Sequence, residues 1–376
     1  MYRLRYILIT FLCVFALLPL SARSVDPVGD SIAIARVREK MDVIRQYRPT
    51  VALVLSGGGA KGAAHVGVMK YMKELDIPVD MVLGTSIGGL VGGLYSLGYP
   101  VETIDSLMTN MDWQWVLSDE LSRDYISYTD MKYKEKYMIS IPFYYEKDYY
   151  NMKLAEEYRF EDLNKYSRVD IGAENDMKGG EFLKRNLLGS LPSGFVYGQN
   201  VNNLISSLTI GYQDSIAFSE LPVPFACVAV DMVSGKSKIW HSGKINDAMR
   251  STMSIPGMFA PVRRDGMVLV DGGVANNIPA DVCRRLGAEI VIAVDLNHTR
   301  SQGTTSNHTI DRMGAVWRVM SSATAFKGQH NSDLVITPEL RIYKSTTIAD
   351  IDGLISEGYR ATVEKMQEIK LLLGIK

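Results

Sequence analysis

The chain has few of the residues that build metal sites or disulfide frameworks. It holds three cysteines and five histidines in 376 residues. Cys13 falls in an apolar run near the start and lacks the small-residue context of a lipid-attachment site. Cys227 and Cys283 stand far apart in apolar, core-like patterns. That spacing excludes a disulfide framework and a Cys/His metal centre. Both cysteines read as small buried hydrophobes. Charge of one sign is also missing, with 41 basic against 42 acidic residues and a net of −1. Without a basic excess, nucleic acid is excluded as a partner. Long apolar runs are absent too. The one run of note, Ile7 to Leu20, is broken by Thr10 and Pro19 and is short for a membrane span. The composition carries no disordered signature, and the length suits one large domain or two modest ones.

That first run has the layout of a targeting segment. Arg3 and Arg5 precede it, and Ala22-Arg23-Ser24 supplies small residues for cleavage. Residues 1–24 are therefore expected to be a signal peptide, with an uncleaved anchor as the alternative. Their removal takes away three arginines and no acid, which moves the net charge from −1 to −4. Residues 25–49 read as a lead-in helix and linker, with Ile32, Ala35, Val43 and Ile44 at helical spacing.

The chain is organised around Val51 to Gly93. Val51 to Leu55 is a short aliphatic run, read as a buried strand. Gly57, Gly58, Gly59, Ala60, Lys61 and Gly62 follow, then a helical pattern from Ala63 to Leu75. Val79 to Leu83 reads as a second strand and runs into Gly84-Thr85-Ser86-Ile87-Gly88. This is G-x-S-x-G, with a helix expected from Gly89 to Leu97. A serine on a sharp strand-to-helix turn sits in strained backbone, and the flanking glycines remove Cβ atoms that would clash. Its hydroxyl projects at a helix N-terminus, where developing negative charge is favoured.

The glycine cluster has three readings. Gly57-x-Gly59-x-x-Gly62 after a strand fits a dinucleotide fingerprint, although Asp80 lies at the start of the next strand and not at its end. A tight packing turn is the second. A cradle of backbone N–H groups for an oxyanion is the third, and the serine turn 24 residues beyond Gly62 favours it. A P-loop is excluded at this cluster, because Lys61 precedes Gly62 and no Gly-Lys-Ser/Thr closes it.

Further on, Leu121 to Phe160 carries nine of the chain's twenty tyrosines. It reads as an aromatic-packed hairpin or a cap facing substrate or membrane. Residues 170–180 read as a loop. Val223 to Val230, Met267 to Val270 and Glu289 to Asp295 read as strands, and Lys236 to His241 alternates as a partner for the first. Met267 to Val270 delivers Asp271-Gly272-Gly273, an acid at a strand end whose glycines let a reactant approach. Helices are expected at Val101–Met111, Asn200–Leu208, Ile245–Met253, Pro279–Leu286 and Ile310–Phe326, and Ile348 to Leu373 reads as one C-terminal helix. Strand–helix alternation predicts an α/β fold with a largely parallel sheet and helices on both faces. A Ser-His-Asp triad drawing on His298, His308 or His330 is a rival, as are a nucleotide-binding protein and a non-catalytic lipid-binding scaffold. His65 reads as a packing residue.

The glycine loop, the G-x-S-x-G turn and the Asp-Gly-Gly turn occur in an order that resembles the patatin-like phospholipase family. Pro222 to Phe225, Ser254 to Phe259 and Asn276-Asn277-Ile278-Pro279 are similar to connecting segments of its bacterial, exported members. The resemblance covers Thr50 to Asp295, with a longer insertion than the smallest members have. It implies a three-layer α/β/α sandwich around a mostly parallel sheet, and a serine acyl hydrolase acting on phospholipid or related fatty-acyl esters. It assigns Ser86 as nucleophile, Asp271 as base and Gly57 to Gly62 as oxyanion loop, with no metal or organic cofactor. Expected boundaries are 50–340 for the hydrolase domain, 121–198 for an insertion within it, and 341–376 for the C-terminal helix. The expected location is periplasmic or outer-membrane-associated, with membrane-surface contact as a further reading and the oligomeric state left open.

Overall fold

The computed structural model describes residues 28–119, 194–297, 309–343 and 350–374. The expected signal segment, the tyrosine-rich stretch, the 170–180 loop, His298 and His308 lie outside the described residues. The chain divides into two compact units, residues 1–119 with 193–376 and residues 120–192, and every described residue belongs to the first.

The lead-in helix α1, Val28–Arg45, precedes strand β1, Val51–Leu55. Helix α2, Ala63–Glu74, strand β2, Met81–Thr85, and helix α3, Ile87–Ser96, follow, so the organising stretch forms the elements read from it with small shifts at their ends. Helices α4, Val101–Asn110, and α5, Trp113–Val116, come next. Beyond residue 193 lie β3, Gly194–Val196; α6, Gln199–Leu208; β4, Ile216–Ala217; β5, Phe225–Asp231; β6, Lys236–Trp240; β7, Ser242–Gly243; and α7, Ile245–Thr252. Then come β8, Gly257–Phe259; β9, Val262–Arg264; β10, Met267–Asp271; α8, Ala280–Arg285; β11, Ile290–Val294; α9, Thr309–His330; and β12, Leu334–Ile336. The C-terminal stretch is two helices, α10, Ile351–Glu364, and α11, Met366–Leu373, where the spacing predicts one. The Thr362 hydroxyl donates back to the Gly358 carbonyl at 2.8 Å, and the turn closes through Lys365 N–H to Thr362. Such back-bonding bends a helix.

An eight-stranded sheet runs in the order β12-β11-β1-β2-β5-β10-β9, with β6 also on β5. Its β12, β11, β1, β2 and β5 pairs are parallel. Strands β10, β9 and β6 join antiparallel, an addition the alternation of strands and helices does not predict. Strand alternation divides the interior into two cores. Val51, Leu53 and Leu55 of β1 with Ile290, Ile292 and Val294 of β11 pack in one, beneath α2, α3 and α10. Ala52, Val54, Val291 and Ala293 point the other way, into a core shared with α1 and α8. A strand buried on both faces needs no polar alternation, so these strands read as continuous apolar runs. Helices on both faces make the expected three layers.

One detail of register positions the site. Strand β2 pairs with the first part of β5 and ends with Thr85 opposite Val228. Strand β6 covers Cys227 to Asp231 on the other edge of β5. Strand β10 therefore comes along the same edge as β2 from the opposite direction, ending with Asp271 opposite Ala229. The C-terminal ends of β2 and β10 meet head to head, and the residues they deliver are Ser86 and Asp271.

Candidate active site

Ser86 occupies φ 57°, ψ −128°, a conformation costly for any residue with a Cβ. Three contacts hold it there. Its N–H donates to Thr252 Oγ1 at 2.9 Å, and the Thr252 hydroxyl donates to the Val228 carbonyl at 2.5 Å. The neighbouring Thr85 Oγ1 donates to the Asn276 carbonyl at 2.9 Å. The flanking glycines serve close approach. A Cβ on Gly84 would overlap the Gly88 carbonyl, and one on Gly88 would overlap the Leu55 carbonyl. Four glycines give α3 weak intrinsic helix propensity, but almost all of the helix is buried, so packing holds it. Ile87 follows Ser86 as the first helical residue, its side chain against Gly62.

Asp271 is fully buried. Its N–H donates to the Ser254 carbonyl at 2.9 Å, and its Oδ1 accepts the Gly273 N–H at 2.8 Å within the short turn Gly272–Val274. Burial pushes this carboxyl up from the ordinary aspartate range to about 7. The Ser86 side chain and the Gly273 N–H act against that rise. Oδ2 has no hydrogen-bond partner among the described residues. Catalytic hydrogen bonds often tighten only when substrate is bound.

The glycine loop leads into a 3-10 turn, Gly59–Gly62, with Gly59 at φ 59°. It lies directly against the serine turn, since a Cβ on Gly57 would sit 3.0 Å from Ser86 Cβ. The structure corrects one expectation here. The Gly57 N–H is committed to Asn277 Oδ1 at 3.1 Å, and its carbonyl accepts from Asn297 Nδ2 at 2.6 Å. Gly57 anchors the loop and has no N–H to offer an oxyanion. The N–H groups at the start of the 3-10 turn, on Gly59 and Ala60, are ones that no carbonyl of the turn can take. Lys61 is buried, and Gly58 packs on Leu296. Gly272 and Gly273 are buried in the turn after Asp271.

The histidines give no triad among the described residues. His65 is fully buried with Nε2 2.8 Å from the Ser56 carbonyl, and desolvation lowers its pKa to about 4 despite that contact. It stays neutral at pH 7 and packs beneath the loop. His330 is exposed at the end of α9. No described histidine hydrogen-bonds Asp271. The dinucleotide reading loses its acid as well. Asp80 accepts from Arg48 Nη2 at 2.6 Å and from the Val51 N–H at 2.7 Å, at the start of β1 and β2 and away from the glycine loop. The residue at the end of β2 is Thr85.

Two supports escaped the sequence reading. Thr252 sits in an ordinary helical pattern and Asn297 in a polar stretch. Asn277 had a signal, since it stands in the Asn276-Asn277-Ile278-Pro279 segment.

The patatin-like phospholipase family matches residues 53–284, which include the glycine loop, Ser86 and Asp271. A patatin-like phospholipase domain-containing protein of Caenorhabditis elegans is 30% identical over 250 residues, 65% of this chain and 13% of that protein. The neuropathy target esterase of Drosophila melanogaster is 26% identical over 66% of this chain and 13% of its own length. This chain thus spans about an eighth of the curated relatives it matches. Among solved structures, VipD from Legionella pneumophila aligns with 85% of this chain and 67% of its own, at 15% identity and a TM-score of 0.44. The match across residues 53–284 covers more than half of the chain, which belongs to the patatin-like phospholipase family.

Proposed function

We propose that the chain is a serine acyl hydrolase that cleaves fatty-acyl esters of phospholipids or related lipids through a Ser86–Asp271 dyad. The observation that carries the reading is the head-to-head meeting of β2 and β10, which brings a strained, buried serine against a carboxylate with a pKa near 7. An ordinary aspartate, with a pKa near 3.9, is a poor base at neutral pH. Asp271 is a better one because its site is dry.

In the first half-reaction Ser86 Oγ attacks the ester carbonyl and its proton passes to Asp271. The tetrahedral oxyanion is met by N–H groups of Gly59 and Ala60 and by that of Ile87, the residue after the nucleophile. One such donor is worth about 3 kcal/mol in other enzymes. Asp271 then protonates the leaving alcohol as the C–O bond breaks. Water attacks the acyl-enzyme by the reverse sequence and releases the fatty acid. The step needs no metal or organic cofactor.

The test compares the intact protein with Ser86→Ala and Asp271→Asn on a medium-chain p-nitrophenyl ester and on phospholipid vesicles. Both variants should lose at least 10³-fold in kcat, a loss of the size seen when members of catalytic triads are removed. Activity within tenfold of the intact protein in either variant would refute the dyad. Cleavage of the ester but not of phospholipid would keep the mechanism and change the substrate class.

An exported, bacterial character stays part of this proposal and rests on the charge and apolar pattern of residues 1–24. Expression of the full chain in a Gram-negative host should yield a periplasmic or outer-membrane product that begins near Val25. An unprocessed product in the cytoplasmic fraction would reject it.

A further inference from the structure

We propose that the indole N–H of Trp317 and Asp271 Oδ2 together form a binding site for a hydroxyl oxygen. Its occupants are the alcohol leaving the ester and the water that attacks the acyl-enzyme. The inference rests on the Ser86–Asp271 reading above. Trp317 belongs to α9, outside the residues matched by the family. Its side chain is 6% exposed, and its Nε1 has no hydrogen-bond partner among the described residues. Asp271 Oδ2, fully buried, is in the same state. Buried polar atoms are nearly always paired, and an indole N–H can only donate. An unmet donor and an unmet carboxylate oxygen on side chains that meet at one turn mark a place for a group that accepts from one and donates to the other. A hydroxyl does both.

The turn at Gly273 shows how close the two groups come. The point where a Cβ of residue 273 would stand is 3.0 Å from Trp317 Cζ2 and 3.1 Å from Asp271 Oδ1. In the indole, Cζ2 and Nε1 share one bonded neighbour, so the ring edge facing this turn is the edge next to the N–H. Asn277 Oδ1 also lies 3.1 Å from the point, but it already accepts the Gly57 N–H. The placement of the ring is firm. Thr324 of α9 donates to the Gly273 carbonyl at 2.7 Å, and Gly328 packs on Ile278. Glycine at 273 keeps the space between ring and carboxylate open.

The chemistry balances on Asp271. In acylation the proton taken from Ser86 Oγ passes to the alkoxy oxygen as its bond to carbon breaks, while that oxygen accepts from Trp317. In deacylation the water donates its proton to Asp271 and accepts from Trp317 as it attacks the acyl carbon. The proton then returns to Ser86 Oγ as the acyl–oxygen bond breaks. The indole N–H bond stays intact throughout.

Trp317→Phe keeps the ring and removes the donor. With a methyl ester, whose alkoxide needs help to leave, acylation should slow about tenfold with KM changed less than twofold. With the p-nitrophenyl ester of the same acid, whose phenolate leaves unaided, the burst should keep its rate and the steady state should fall about tenfold. Slowing of the methyl ester's acylation alone identifies the alcohol as occupant, and slowing of the steady state alone identifies water. Either result supports the site. Rates within twofold in both assays would overturn it, and so would a rise in KM equal to the whole loss. If Ser86→Ala and Asp271→Asn are inactive while Trp317→Phe matches the intact protein, the inference fails and the dyad stands. Should the variant not fold, the intact protein answers instead. The indole N–H signals of its four tryptophans, labelled with 15N, are followed during a methanol titration, with assignment by Trp113→Phe, Trp115→Phe and Trp240→Phe. Trp317 should move, and a fixed signal would overturn the site.

Discussion

At the scale of the residue, the site stores its cost in one carboxylate. Asp271 would sooner be neutral where it lies, because it is fully buried and one of its oxygens is unpartnered among the described residues. Burial raises its pKa from 3.8 to about 7. For activity, the base must be ionised. The kcat/KM of the enzyme should therefore rise with pH along a limb centred near 7 and level off above it. A limb centred near 4 would mean that Asp271 is solvated during turnover. For stability the sign is opposite. Between pH 3.8 and about 7 the folded state holds a proton that the unfolded state has released, so stability falls as pH rises through that window. Asp271→Asn removes the titration and keeps the shape. It should raise stability at pH 8 by as much as about 4 kcal/mol, since each tenfold difference in proton affinity between the folded and unfolded states is worth about 1.4 kcal/mol. The gain should fade towards pH 4. Thermal melts of the two proteins across that range measure it, and an equal offset at every pH would show that the gain does not come from the charge.

Elements carry the next part of the design, and here the sequence was unevenly legible. Val51 to Leu55 forms the strand read from it and Glu289 to Asp295 contains β11, because a strand buried on both faces leaves an unbroken apolar run. The Ser86 turn was legible because G-x-S-x-G joins a visible strand to a visible helix. The meeting of Ser86 with Asp271 was not legible from pattern, since it depends on which edge of β5 each strand takes. Only the family resemblance supplied it. Strand β9, Val262–Arg264, was invisible because Val-Arg-Arg at a sheet edge has no apolar signature. The docking of α10 on α2 was also hidden, as it depends on glycines of both helices. A Cβ on Gly67 would overlap the Ile355 carbonyl, and one on Gly358 would overlap the Ala64 carbonyl. Tyr71 and Tyr359 then stack edge to face with centroids 5.0 Å apart. Helix α2 begins directly after the glycine loop, so α10 braces the loop from behind. Gly358→Ala should push the helices apart, at a cost of about 1–3 kcal/mol typical of overpacking. The melting temperature should fall by several degrees and ester hydrolysis should fall with it. A variant with an unchanged melting temperature would show that this crossing has slack.

For the whole molecule, the question is what residues 120–193 do for the unit they interrupt. Both ends of the interruption are pinned at one place. The Asp119 carboxylate accepts from the N–H groups of Tyr197, Gly198 and Gln199, the last two at 2.8 and 2.9 Å. Arg250 donates to the Tyr197 carbonyl at 2.9 Å and to Ser254 Oγ at 2.7 Å, while the Ser254 carbonyl accepts the Asp271 N–H at 2.9 Å. The chain therefore leaves and re-enters the described unit through a polar clamp that the unit itself provides. Strand β3, Gly194–Val196, reaches the clamp along β8, so a linker of about six residues from Asp119 to Gly194 spans the gap at 3.3–3.6 Å per residue. A chain with 120–193 replaced by such a Gly/Ser linker should fold cooperatively, with a melting temperature within a few degrees of the parent, because loop length enters stability only logarithmically. Hydrolysis of a soluble p-nitrophenyl ester should persist, because Ser86, Asp271, Thr252 and the glycine loop all lie outside the deletion. The comparison that matters is then the ratio of phospholipid to soluble-ester activity. A ratio that collapses while ester turnover holds assigns the tyrosine-rich insertion to lipid engagement. An unchanged ratio assigns lipid recognition to the unit that carries Ser86 and Asp271, and a shortened chain that fails to fold would show that the clamp at Asp119 does not close the unit by itself.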